Sequence, residues 1–299
     1  MKPVLCLGSL NIDYTYRVDH LVRPGETLTA GQLIRGPGGK GLNQSVALAR
    51  AGAEVAHVGA IGADGVWLRT LLAEAGVKVD AVATLELGTG HAIIQVANTG
   101  ENSIVLFPGA NQAIGPQQVT DAVSRTAPGG FFLTQNETNG VADALGRAKA
   151  QGLTVVFNPA PMTPLVRTYP LHVVDYLIVN ETEAAELSGE KDWQMAAKEL
   201  AGRYPQAVVV VTAGAAGAVA RAGGQAITVP AVRVQAVDTT GAGDGFVGYL
   251  VAGLARGIDL REALHLAASA AALSVTRPGA AASIPTAAEV EEFRANVRA

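Results

Sequence analysis

Residues 131–157 read FFLTQNETNGVADALGRAKAQGLTVVF, and the fold turns on this stretch. Phe131–Gln135 has the character of a short buried strand, Val141–Ala150 that of a helix, and Thr154–Phe157 that of a second strand. A strand, a helix and a strand so close together make a βαβ unit, whose strands lie parallel. The alternation extends outward on both sides. Upstream, Val4–Leu10 reads as a buried strand. After Gly38-Gly39-Lys40-Gly41, residues Leu42, Val46, Ala49 and Arg50 recur at helical spacing. Val55–Ile61 then reads as a strand, Gly65–Ala75 as a helix and Ala81–Leu85 as a strand. Downstream come strand Tyr176–Val179, helix Glu183–Leu187 and Ala207–Thr212, a β-branched run expected of a strand covered on both faces. Helices near Ala242–Arg256, Leu260–Val275 and Ala288–Val297 close the chain. Repeated βα units predict an α/β fold with a doubly wound, mostly parallel sheet flanked by helices.

Two regions break the pattern. Tyr14–Val18 and Thr27–Ile34 have strand character around Pro24-Gly25, and His91–Val96 and Ser103–Phe107 flank the turn-rich Asn98-Thr99-Gly100-Glu101. Neither region contains a helix. Residues 14–38 and 88–108 are therefore expected to form one small β-sheet lid, over an α/β core of residues 1–13, 39–87 and 109–299.

Composition narrows the function. The chain has 299 residues, 49% hydrophobic and 16% charged, enough to bury a large core. Its formal charge is −4, with no long basic run to neutralise a nucleic-acid backbone. No apolar segment is long enough to span a membrane, and Val4–Leu10 is too short for a signal peptide, so a soluble cytoplasmic protein is expected. The single cysteine, Cys6, reads as a small buried hydrophobe. The five histidines lack metal-ligand spacing and no G-x-S-x-G elbow occurs.

Asp238-Thr239-Thr240-Gly241-Ala242-Gly243-Asp244 is the strongest motif. Its glycines let a helix start curl so that several N–H groups face one anion. Asp244 falls in the first turn of that helix. A carboxylate aimed at a phosphate pocket needs a purpose, and taking the proton of an attacking hydroxyl supplies one. An N-capping aspartate in a glycine-rich turn would explain Asp244 alone. Gly36-Pro37-Gly38-Gly39-Lys40-Gly41 formally fits G-x-G-x-x-G, but the first buried strand lies far upstream, and Gly41 stands where a Walker A loop needs Ser or Thr. That loop could instead approach a polyol, with Lys40 and Asn43 donating hydrogen bonds, or be a tight turn with a solvated lysine. Asn11 and Asp13 are expected where the first strand ends, with Glu137 on the same edge. Thr212-Ala213-Gly214-Ala215-Ala216-Gly217 reads as a turn near a phosphate or as a hairpin entry.

Together these elements resemble the ribokinase branch of the PfkB-type carbohydrate kinases. The resemblance also takes in Gly109-Ala110-Asn111, Asn158-Pro159-Ala160-Pro161, Asn180-Glu181-Thr182-Glu183 and Ser274-Val275-Thr276-Arg277-x-Gly279, in the family's order along nearly the whole chain. It implies an ATP-dependent kinase that phosphorylates the primary hydroxyl of a pentose, with ribose the expected sugar. Asn11, Asp13, Gly39, Lys40, Asn43 and Glu137 would hold the sugar, and Asp244 would be the base. The N–H groups of Gly241, Ala242 and Gly243 would form an anion hole. Asn180, Thr212, Gly214 and Gly217 would line the ATP site, with Mg²⁺ bridging phosphates. The resemblance also implies a K⁺ site formed by Asp238, Ser283 and carbonyls of Thr240, Ser274, Arg277 and Gly279. A homodimer through the lid is a further expectation, because an unpaired sheet edge invites pairing.

The nearest alternative is a nucleoside kinase on the same fold, for which Tyr14 and Tyr16 would have to wall a base. A non-catalytic sugar or nucleotide sensor would not need Asp244. A Rossmann oxidoreductase would need the dinucleotide fingerprint that the spacing argues against.

Overall fold

The computed structural model describes residues 1–298. Nine strands form one sheet: β1 (Val4–Leu7), β4 (Val55–Gly62), β5 (Lys78–Leu85), β8 (Phe131–Thr134), β9 (Thr154–Phe157), β10 (Tyr176–Asn180), β11 (Val208–Thr212), β12 (Ala218–Ala222) and β13 (Gln225–Val229). Their order is β13-β12-β11-β10-β9-β8-β1-β4-β5. The seven strands from β11 to β5 are parallel, and β12 and β13 extend the edge as an antiparallel hairpin. The βαβ unit read at 131–157 is β8, α4 (Val141–Ala150) and β9.

Helices cover both faces. On one lie α1 (Lys40–Arg50), α2 (Val66–Glu74), α7 (Ala242–Ala255), α8 (Leu260–Ser274) and α9 (Ala287–Arg298); α3 (Pro116–Arg125), α4, α5 (Glu181–Ser188) and α6 (Trp193–Arg203) lie on the other. Strand pleat explains the division. In β1, Val4 and Cys6 join the first core while Leu5 and Leu7 join the second. All four are buried, which is why the segment reads as a continuous apolar run. No helix among the described residues is long and apolar enough to cross a membrane.

The remaining strands, β2 (Asn11–Val18), β3 (Gln32–Gly38), β6 (Gly90–Ala97) and β7 (Asn102–Phe107), form a separate four-stranded sheet in the order β3-β2-β6-β7. One detail differs from the sequence reading. The first core strand stops at Leu7, and Asn11–Asp13, expected to end it, pair instead with Gly36–Gly38 and Gly90–Ala92 in the smaller sheet. The cause is local. Gly8 packs directly against Gly41 at the start of α1, so the chain turns out of the large sheet there. Helices α3 and α6 and the β12–β13 hairpin had no place in the sequence reading.

Candidate active site

A cleft of about 220 Å³ opens where β9, β10 and β11 end and α1 and α7 begin, lined by Lys40, Asn158, Asn180, Glu183, Thr212, Gly241, Gly243 and Asp244 among others. This is the edge at which open α/β sheets bind ligands.

Helix α7 starts at Gly241, whose left-handed backbone (φ 74°) turns the chain into the helix. The N–H groups of Gly241, Gly243 and Asp244 have no acceptor among the described residues, and they face the positive end of the helix dipole. The Ala242 N–H, expected in the anion hole, instead points to the Thr239 carbonyl at 3.3 Å. This helix start thus offers three free donors to an anion, with Asp244 in the place expected of Ala242.

Asp244 lies one turn from Gly248, and Gly248 sets its surroundings. A side-chain carbon there would sit 2.3 Å from Ala47 Cβ and 3.0 Å from the Gln44 carbonyl, so only glycine lets α7 approach α1 this closely. The approach brings two amides to the Asp244 carboxylate, which is 7% exposed. Asn43 Nδ2 donates to Oδ2 and Gln44 Nε2 to Oδ1, each at 2.9 Å. Asn43, expected at the sugar, therefore also fixes the acid. Its own Oδ1 is buried and unpartnered among the described residues. Gln44 had no role in the sequence reading.

The other sugar-side residues gather nearby. The Glu137 carboxylate accepts the Lys40 N–H at 3.0 Å and the Ser9 hydroxyl, and burial pushes its acid range upward. Asp13 projects against Gly38, where a side-chain carbon would collide with its carboxylate. Burial first, then the charge of Glu137, raises the Asp13 carboxyl to about 7. The Lys40 ammonium is held above its ordinary range, chiefly by Asp244 against the opposing effect of burial, with Glu137 and Glu183 assisting. Asn11 Oδ1 accepts from Asn111 Nδ2 at 2.7 Å, while Asn111 Oδ1 receives the Leu10 N–H. Asn111 therefore pins the turn that delivers β2. Gly39 takes the residue before α1, pressed against the Ser9 carbonyl. Around this glycine loop the protein's own chain also comes close, at Gly8, Ser9 and the Asp13 side chain.

On the opposite wall, Asn180 caps α5 in a reciprocal box with Glu183, which is 8% exposed and pushed upward by burial. Thr212 ends β11, and Gly214 and Gly217 form the turn into β12, which makes that segment a hairpin entry at the cleft edge. Behind α7, the Asp238 carboxylate accepts the Thr240 N–H at 2.9 Å and the Gly279 N–H at 2.8 Å. Burial raises its acid range, but these hydrogen bonds outweigh it and leave the group below the ordinary carboxylate value. The Ser274 carbonyl accepts the Arg277 N–H, the Ser283 hydroxyl donates to the Ala280 carbonyl, and the Arg277 side chain pairs with Glu289.

Residues 1–287 match the pfkB family of carbohydrate kinases. The chain is 39% identical to a ribokinase of Haemophilus influenzae, with 98% of each chain covered. Among solved structures it is similar to a ribokinase of Cryptococcus neoformans in complex with ADP (38% identity, TM-score 0.87, 98% of this chain and 99% of that one). It is also similar to an Arabidopsis thaliana ribokinase complexed with ribose and ATP (29% identity, TM-score 0.86, 98% and 99% covered). A match over nearly the whole chain, on a cleft of this construction, makes the protein a member of the pfkB family of carbohydrate kinases.

Proposed function

We propose that this protein transfers the γ-phosphoryl group of ATP to the primary hydroxyl of D-ribose, giving ribose 5-phosphate. The observation that carries the reading is the placement of Asp244: a buried carboxylate in the first turn of a helix where the N–H groups of Gly241, Gly243 and Asp244 have no acceptor among the described residues. Phosphoryl transfer depends on positioning and charge stabilisation. The amides of Gly241, Gly243 and Asp244 would take the charge of the transferring group, and Asp244 would accept the proton of the attacking hydroxyl. The orphan Oδ1 of Asn43 is an acceptor suited to a sugar hydroxyl, and Asp13 and Glu137 supply further acceptors with Asn11, Gly39 and Lys40 around them. Asn180, Thr212, Gly214 and Gly217 would line the nucleotide.

Strand pleat favours a free sugar over a nucleoside. Asn11 and Asp13 point to one face of β2, so Tyr14 and Tyr16 point to the other. Tyr14 packs against the core and meets His91 edge-on at 6.0 Å, so neither tyrosine walls the sugar side. That relatives with this activity include one held with ribose and ATP supports ribose as the pentose.

Mg²⁺ on the triphosphate would neutralise its charge. A K⁺ ion fits the all-oxygen set behind α7, with Asp238, Ser283 and carbonyls of Thr240, Ser274, Arg277 and Gly279 as its holders. Each Asp238 oxygen accepts one backbone N–H and has acceptor capacity beyond it. Such a cation would steady the helix start. Use of ATP as the phosphoryl donor supports a cytoplasmic location. A second copy of the chain would cover β7, an edge strand whose Ile104, Val105, Leu106 and Phe107 are each about half exposed; a strict monomer on size-exclusion chromatography would remove that interface.

The test is a phosphorylation assay with Mg²⁺-ATP against ribose, 2-deoxyribose, hexoses and adenosine, with and without K⁺. Ribose is expected to give the highest kcat/KM, and K⁺ to raise it. Preference for adenosine, or no turnover on any polyol, would overturn the assignment.

A further inference from the structure

Gln44 is fully buried on α1, and every polar group of its side chain is engaged. Its two amide hydrogens go to Asp244 Oδ1 at 2.9 Å and to Asn158 Oδ1 at 3.0 Å, and its carbonyl receives Gln135 Nε2 at 2.7 Å. An amide can be turned end for end at little steric cost, so its partners decide which end faces a neighbour. Asn158 fixes the direction here. Gln135 donates to the Gln44 carbonyl, its other contact being a long one to Cys6 Sγ, 3.7 Å, with Gln135 Oε1 unpartnered among the described residues. Asn158 only accepts from it, because its own Nδ2 is committed to the Ile178 carbonyl at 2.9 Å. Turning Gln44 over would set its carbonyl against two acceptor oxygens. The donor end is therefore held toward Asp244.

We propose that Gln44 is the positioning residue of the base: an amide anchored by Gln135 and Asn158 that holds one Asp244 oxygen and fixes the plane of the carboxylate. The proposal rests on the reading of Asp244 as the proton acceptor. Asn43 alone holds one oxygen and leaves the carboxylate free to rotate about its own axis, whereas bonds to both oxygens fix the plane. A lone pair of each oxygen remains for the sugar hydroxyl. The other ionisable groups facing Asp244 are Lys40 on α1, Glu137 after β8, Glu183 on α5 and Cys6 on β1, and none of them is altered by the substitutions below.

Gln44→Met keeps the length of the side chain and removes its donors. With folding checked by thermal unfolding, kcat for ribose is expected to fall about 10- to 100-fold, the loss that a misplaced reacting group causes, while KM for ribose changes little. A folded Gln44→Met enzyme with the parent kcat would overturn the proposal, and so would one whose loss lies in KM alone. Gln44→Glu keeps the shape of the side chain but sets an oxygen where the donor stood, and should lower kcat at least as far. Should Gln44→Met not fold, Gln135→Met decides: it leaves Gln44 in place with one anchor fewer, so a smaller loss of kcat at unchanged KM supports the proposal, and an unchanged kcat removes it. Asp244→Asn is measured alongside. Activity retained there would sink the reading of the base, whereas an inactive Asp244→Asn beside a fully active Gln44→Met sinks only the role of Gln44.

Discussion

The two sides of the α7 start are built in opposite ways. On the side facing α1, the Asp244 carboxylate is buried and held by side-chain amides some 200 residues away in sequence, one of which, Gln44, is itself bonded to Asn158 and Gln135. On the side facing away, Asp238 sits in an exposed loop and is held by backbone N–H groups, one only two residues along. A buried network of this kind is costly when half satisfied, so its members act together. A loop of backbone dipoles tolerates more. The difference accords with the proposed division, chemistry on the buried side and modulation on the exposed side.

Asp13, on the buried side, should show the larger response. Its carboxyl titrates near 7 in the folded protein and near 4 when unfolded, so ionising it works against the fold. The stability in question is present in full below about pH 4 and is lost as pH rises through 7. Asp13→Asn is expected to be more stable than the parent at pH 8, by at most about 4 kcal/mol, and no more stable at pH 4. The same substitution should raise KM for ribose about 10- to 100-fold, the worth of a hydrogen bond to a charged group. Denaturant unfolding at the two pH values with steady-state kinetics measures both; equal stability at pH 8 together with an unchanged KM would break the contrast.

The exposed side should respond less. Asp238→Asn is expected to fold normally and to lose only several-fold in kcat, together with any stimulation by K⁺. A K⁺ titration of the variant checks this. Stimulation equal to that of the parent would remove the cation from this loop, and a loss as deep as that expected for the base would erase the distinction between the two sides.

What the sequence disclosed follows the same division. Asp238–Asp244 is legible because its geometry is local: glycines and a carboxylate within one turn of a helix start. The network that orients Asp244 is not, since Gln44, Gln135 and Asn158 meet only after three strands and two helices are packed. Gly248 offered a partial signal as a glycine inside a long apolar helix, a position that calls for a packing reason. The parallel sheet was legible from runs such as Val208–Val211. Helix α6 was not, because its buried stripe is narrow and built of Ala196, Ala197 and Leu200. Its signal lay in Asp192, which caps it. Asn11–Asp13 were assigned to the wrong sheet because hydrophobicity continues through Leu10 and Ile12, while the turn between them is set by Gly8 meeting Gly41 across the fold.

Asp244→Asn keeps the shape of the side chain, and turnover of Mg²⁺-ATP with ribose by this variant is the most direct measurement. The substitution should leave the thermal unfolding curve nearly intact and lower kcat about 10²- to 10⁴-fold, the usual share of a general base. A folded Asp244→Asn enzyme that phosphorylates ribose at close to the parent rate would contradict the assignment of the base and the mechanism built on it.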